Sequence, residues 1–235
     1  QEELWVAACK FEDIAESAIS FNHDQLDDPD CWPLGLRVND SRFERCGRAI
    51  SWRTASPGPI RMQNDTILAC RGSGVEADVR TSAFEAVHVV GCGRMGFDLN
   101  VIGEPYYTGL CCRELSIVGS EFRANSAAGI SIRHQGARDN FPIVRAEDNL
   151  VVGNGGDGIR VETSSQAAFG RGWIIRGNVV GRSVDRGLVI DAPSAALVLR
   201  NNTVFVNGSA GIVVRGNAQD SIDHNVSYGN GGTGF

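Results

Sequence analysis

The stretch Asn154-Gly155-Gly156-Asp157-Gly158-Ile159-Arg160-Val161 closes on a Gly-apolar-x-apolar tetrapeptide, and that tetrapeptide recurs along the whole chain. It stands upstream at Gly129-Ile130-Ser131-Ile132 and downstream at Gly187-Leu188-Val189-Ile190 and Gly211-Ile212-Val213-Val214. Further copies begin at Ala18, Ala49, Gly74 and Gly96, and a ninth starts at Gly234. The spacings are 31, 25, 22, 33, 29, 29, 24 and 23 residues. A minimum unit of about 22 residues therefore repeats, and the excess belongs in loops on one or two corners.

Columns counted back from the tetrapeptide confirm the repeat. Four residues before it stand Cys70, Cys92, Asn125, Asn154, Ser183, Asn207 and Asn230; seven before it stand Phe11, Ile67, Val89, Phe122, Val151, Val180 and Val204. Nine before it stand Asn149, Asn178, Asn202 and Asn225. Deleting one residue brings Phe43 and Cys46 into the same columns, and the last unit is looser, with Ser227 at the apolar position. Each unit alternates apolar and polar residues over short Val- and Ile-rich runs broken by Gly, Asn and Asp, with no long amphipathic helical stretch. Such strands bury their apolar faces by stacking coil on coil, about 4.8 Å apart, in a parallel β-solenoid. Asn tolerates left-handed backbone and can bond to the same residue one coil away, so the Asn columns mark repeated tight turns.

These residues resemble the right-handed parallel β-helix repeat, Asn-x-x-x-Gly-Ile-x-Val, of pectate lyases, polygalacturonases and related secreted proteins. The resemblance covers the whole chain, most closely from Glu121 to Phe235. It implies an all-β right-handed solenoid of eight to nine coils, roughly 40 Å long, as a single domain over 1–235. The chain opens within a coil-like segment and ends inside a strand, so it reads as part of a longer chain, or as a solenoid whose open ends meet partners or each other.

Composition narrows the function. Net charge is −6 with 42% apolar residues, a globular profile without the basic excess of a nucleic-acid binder. No apolar run is long enough to span a membrane, so no membrane span is expected. Lys10 is the only lysine among 22 basic residues, which nearly excludes lysine chemistry. Seven cysteines occur without a Cys-x-x-Cys arrangement, so no zinc ribbon is expected. Cys46, Cys70 and Cys92 share a column, readable as a buried thiol ladder or as a bridge between two coils.

Candidate chemistry falls on the tetrapeptide strand, whose first and third residues after the Gly face inward and whose second and fourth face outward. The outward positions carry Arg133, Arg160, Glu162, Asp191 and Arg215, a stripe whose guanidinium forks could take uronate carboxylates; the same charges could equally pair across coils. Asp157 and Asp185 sit at similar corners of adjacent coils. The resemblance to polygalacturonases implies a pair of Asp residues before this strand, with one carboxyl as acid and the other as base. Resemblance to pectate lyases implies an Arg base instead, for which Arg133, Arg160, Arg186 and Arg215 are available. His134 is the best-placed histidine for proton transfer. Asp24, Asp27, Asp28 and Asp30 form an acidic cluster that could hold Ca2+, or a solvated loop; no cofactor is otherwise required.

The functional expectation is an extracellular or cell-surface carbohydrate-active protein that binds an acidic polysaccharide and, as lyase or hydrolase, could cleave it. The alternative is a non-catalytic structural, adhesin or filament module.

Overall fold

The computed structural model describes residues 3–23, 35–54, 58–79, 81–102, 114–134, 143–163, 170–193, 195–216 and 220–235. Among them the regular structure is entirely strand, arranged in three parallel sheets of nine, nine and eight strands. One coil shows the plan. Ile143–Glu147 lies in the first sheet, Leu150–Val152 in the second and Ile159–Thr163 in the third, and the next coil repeats this with Gly170–Arg176, Val179–Gly181 and Leu188–Asp191. Each strand pairs with its counterparts one coil before and after, as in Ile130↔Ile159↔Leu188↔Ile212. The expected solenoid is present, with nine coils.

The interior is built from the apolar member of each alternation. Ile130, Ile132, Ile159, Val161, Leu188 and Ile190 from the third sheet meet Val151, Val180 and Val204 from the second, and all are buried. Phe11 stacks on Phe43 with ring centroids 4.9 Å apart, which places the second coil in the column reached by the one-residue deletion. Ser227 does occupy the position of Val204, and its hydroxyl donates to the Gly234 carbonyl at 2.8 Å.

The anchor glycines are required by close approach. A Cβ on Gly129 would meet the Val151 side chain, and would lie 2.9 Å from both Asn154 Nδ2 and the Gly158 carbonyl. The sheet corner is thus packed to backbone contact, and a methyl group has no room there.

Two columns of side chains hold the turns. Asn149, Asn178, Asn202 and Asn225 form one ladder and Asn125 and Asn154, then Asn207 and Asn230, form the other. In each ladder an Oδ1 accepts the backbone N–H and the Nδ2–H of the preceding coil, as when Asn178 Oδ1 takes Asn149 N at 3.1 Å and Nδ2 at 3.0 Å. The left-handed residue is not the Asn itself but the one before it: Ala124, Asp148, Gly153, Gly177, Asn201, Val206, His224 and Gly229 all have φ between 51° and 70°. The expected turn is present, but its strain falls on the neighbour while the Asn serves the inter-coil bond. Cys46, Cys70 and Cys92 occupy the second ladder as free, buried thiols. Burial pushes the Cys46 thiol above the usual range, as suits a packing column.

The three turns differ in how much length they tolerate. From first to second sheet every connection is two residues, as at 148–149 and 177–178. From second to third it settles at six residues in the later coils, as at 153–158 and 182–187. From third to first it runs from two residues, 80–81, to twelve, 102–113. The insertions predicted from the spacings therefore gather at one corner. Asp24, Asp27, Asp28 and Asp30 belong to one of them and lie outside the described residues.

Candidate functional site

The outward face of the third sheet carries the charged stripe, and its charges are matched within the protein. Arg53 spans Glu76 at 2.7 Å and Asp78 at 3.1 Å, and Arg48 takes the other oxygen of Glu76 at 2.7 Å. Burial pushes the Glu76 carboxyl up, but the Arg53 and Arg48 guanidiniums hold it below the usual carboxylate range overall. Asp78 also accepts Asn100 Nδ2 at 2.8 Å and the Thr54 backbone N–H at 3.1 Å. Further along, Arg133 donates to the buried Asp98 at 2.5 Å, and Arg215 pairs with Asp191 at 3.2 Å in the open.

Asp157 is the most heavily engaged carboxylate of this face. Arg186 grips it as a fork, Nε to Oδ1 at 2.9 Å and Nη2 to Oδ2 at 3.0 Å, and the Arg186 backbone N–H adds a third bond at 3.1 Å. Arg160 donates to Oδ2 at 3.2 Å and also bonds Glu162. Asp185 is not stacked on Asp157: its N–H donates to the Gly156 carbonyl at 3.2 Å and its side chain is exposed. The structure thus brings together Asp157, Arg160, Glu162 and Arg186 and leaves Asp185 one position to the side. His134 is 1% exposed at the inward end of its strand, and burial lowers its pKa to about 4, which keeps the imidazole neutral at physiological pH. Among the described residues no group of three or more His, Cys, Asp or Glu side chains could hold a metal ion.

A second site lies on the first sheet, where the variable connections enter. The strands Gly35–Asn39 and Ile60–Gln63 stack with Arg37 on Arg61 and Asn39 on Gln63. On the next coil Ala83 follows Arg61 in the same row and Glu85 follows Gln63. The small Ala83 leaves a shallow depression of about 210 Å3 lined by Arg37, Asn39, Arg61, Gln63, Ala83 and Glu85. The Arg37 guanidinium lies over the Trp5 ring, 4.7 Å from its centroid, and its buried Nε has no hydrogen-bond partner among the described residues. Sequence reasoning centred on the tetrapeptide strand missed this site. The signal was present in Leu36-Arg37-Val38-Asn39 and Ile60-Arg61-Met62-Gln63, two consecutive apolar-Arg-apolar-amide strands.

Three in-register parallel sheets wound from a repeat of this length define the class as a parallel β-solenoid. The model of the right handed beta helix region matches residues 111–235, over half of the chain, and the chain belongs to that family. The coil is accordingly right-handed. No curated protein matches the chain. Among the described residues no helix is long and apolar enough to cross a membrane.

Proposed function

We propose that this protein is an extracellular carbohydrate-binding solenoid that holds an acidic polysaccharide along the flank where the third sheet turns into the first. The observation that carries this reading is the collection of all large length variation at that one corner, between two rigid sheet faces that present arginines and amides. A rigid scaffold with variable connections beside a polar face is how binding specificity is commonly built. The reading is one of binding. Both oxygens of Asp157 are held by guanidiniums, so it lacks the freedom of a general acid or base, and His134 lies in the core.

The test is titration calorimetry of the folded chain against polygalacturonate, alginate, a glycosaminoglycan and a neutral glucan, with and without Ca2+. Unsaturated-uronate absorbance and new reducing ends are read in parallel. Heat of binding on a uronate polymer without either product is the expected result. Product formation that disappears when Asp157, Asp185 and Arg160 are replaced together would establish an enzyme instead. Silence on every polymer would leave a structural solenoid as the reading.

A further inference from the structure

We infer that the depression on the first sheet is a carboxylate-recognition subsite, and that Glu3 is its built-in competitor. The inference rests on the polysaccharide reading and assigns it a place away from the charged stripe of the third sheet. The geometry around Glu3 carries it. Its carboxylate accepts Trp5 Nε1–H at 3.1 Å on Oε2 and Arg61 Nη1–H at 2.7 Å on Oε1, with Arg37 Nε 3.6 Å from Oε2. One carboxylate is thus shared by two guanidiniums on adjacent coils.

Donors outnumber acceptors in this cluster. Each guanidinium offers five N–H groups, yet among the described residues Arg61 gives a hydrogen bond only to Glu3, and Arg37 meets that carboxylate only at ion-pair distance. The arginines on and beside the third sheet differ, since Arg53 and Arg186 each spend two or more N–H groups on carboxylates. The amide side chains of Asn39 and Gln63 also bond to no described residue. An incoming ligand rich in acceptors, with one carboxylate and several hydroxyls, satisfies this surplus. Glu85 on the far rim can accept from a hydroxyl, and a volume of about 210 Å3 suits a single sugar ring. The carboxylate of Glu3 shows how these arginines grip such a group, and a ligand carboxylate competes with it for the same N–H donors. Arg37 is pre-positioned by the Trp5 ring, which lowers the ordering cost of that grip.

The experiment is titration calorimetry with a galacturonate trisaccharide, with maltotriose and succinate as a neutral sugar and a sugar-free carboxylate. Four variants of the full chain are compared: Glu3→Gln, Arg61→Gln, Ala83→Gln to fill the depression, and Arg123→Gln on the second sheet, away from the proposed binding flank. The expected result is trisaccharide affinity raised about tenfold by Glu3→Gln and lowered at least about tenfold by Arg61→Gln and Ala83→Gln. Arg123→Gln is expected to change nothing, and maltotriose and succinate to bind weakly. All four sites face outward, and circular dichroism confirms folding. If the wild type binds polygalacturonate but Glu3→Gln and Ala83→Gln leave affinity unchanged, the subsite is overturned while the polysaccharide reading stands. If maltotriose binds as tightly as the acidic sugar, the carboxylate assignment is overturned; equal binding of succinate overturns the sugar component. No binding of any polymer or oligomer by folded protein overturns both readings.

Discussion

Replacing Asp65 by Asn should stabilise the protein in a pH-dependent way. Asp65 occupies the first ladder where later coils carry Asn, with 0% exposure. It accepts the Ser41 N–H at 2.8 Å and the Gln63 N–H at 3.1 Å, and no guanidinium reaches it among the described residues. Burial pushes its carboxyl up from 3.8 to about 6, against the downward pull of those two N–H groups. Between those values the folded chain holds a proton that the unfolded chain has released, so stability falls by about 1.4 kcal/mol for each unit of rising pH. The stabilisation is present in full below about pH 4 and is lost by about pH 6. The ceiling is therefore about 3 kcal/mol at pH 8. An amide avoids that loss; it gives up the bond that Oδ2 takes from the Gln63 N–H, but its Nδ2 can instead donate to the Val38 carbonyl, as Asn149 Nδ2 donates to Ile117 at 2.9 Å. Asp65→Asn should raise stability by about 1–3 kcal/mol at pH 8 and by little at pH 4. For a chain of this size that is roughly 2–12 °C in Tm. Calorimetric scans of both proteins at the two pH values check it. A shift in Tm equal at pH 4 and pH 8, or a lower Tm for the variant at pH 8, would refute the reasoning.

Three further outcomes follow from the ladders and corners. Asn178→Ala should cost roughly 3–5 kcal/mol in urea unfolding, because it removes the acceptor of both the Asn149 N–H and its Nδ2–H and the amide donor to the Ala146 carbonyl together; a cost below 1 kcal/mol would contradict the ladder. Val206 is β-branched, 51% exposed and held at φ 52°, so Val206→Gly should stabilise by about 0.5–1 kcal/mol after the entropy of glycine is set against the relief of strain, read as a higher urea midpoint. Gly129→Ala should destabilise by about 1–3 kcal/mol, since its methyl group meets Val151 and the Gly158 carbonyl; unchanged thermal stability would show that the corner has room.

The solenoid was legible because its determinants recur in register. Gly129, Gly158 and Gly187 repeat for one steric reason and Asn149, Asn178 and Asn202 for one hydrogen-bonding reason, so counting alone aligns the coils. Register also had the answer for Asp157: it and Arg186 each directly precede an anchor glycine, whereas Asp185 is one residue earlier. Reading the two Asp residues as similarly placed corners overlooked that single step. What counting could not supply was the depression on the first sheet. It depends on a side chain that is small, Ala83, beside two that are long, Arg37 and Arg61. Its walls come from coils whose connections differ in length, so the pairing of Arg37 with Arg61 is set by strand register rather than by a repeated motif. The burial of His134 follows from its place at the fifth, inward position of its strand, which alternation predicts once Arg133 is taken as outward.

The most direct test of the carbohydrate-binding claim is electrophoresis of the native full chain through gels cast with polygalacturonate or with a neutral glucan. Protein and polymer are both anionic, the protein with a net charge of −6, so bulk electrostatics oppose association and only a local donor-rich site can retard the band. Retardation is expected in the polygalacturonate gel alone, reversed by excess galacturonate oligomer. Equal mobility in both gels, from protein shown to be folded, would contradict it.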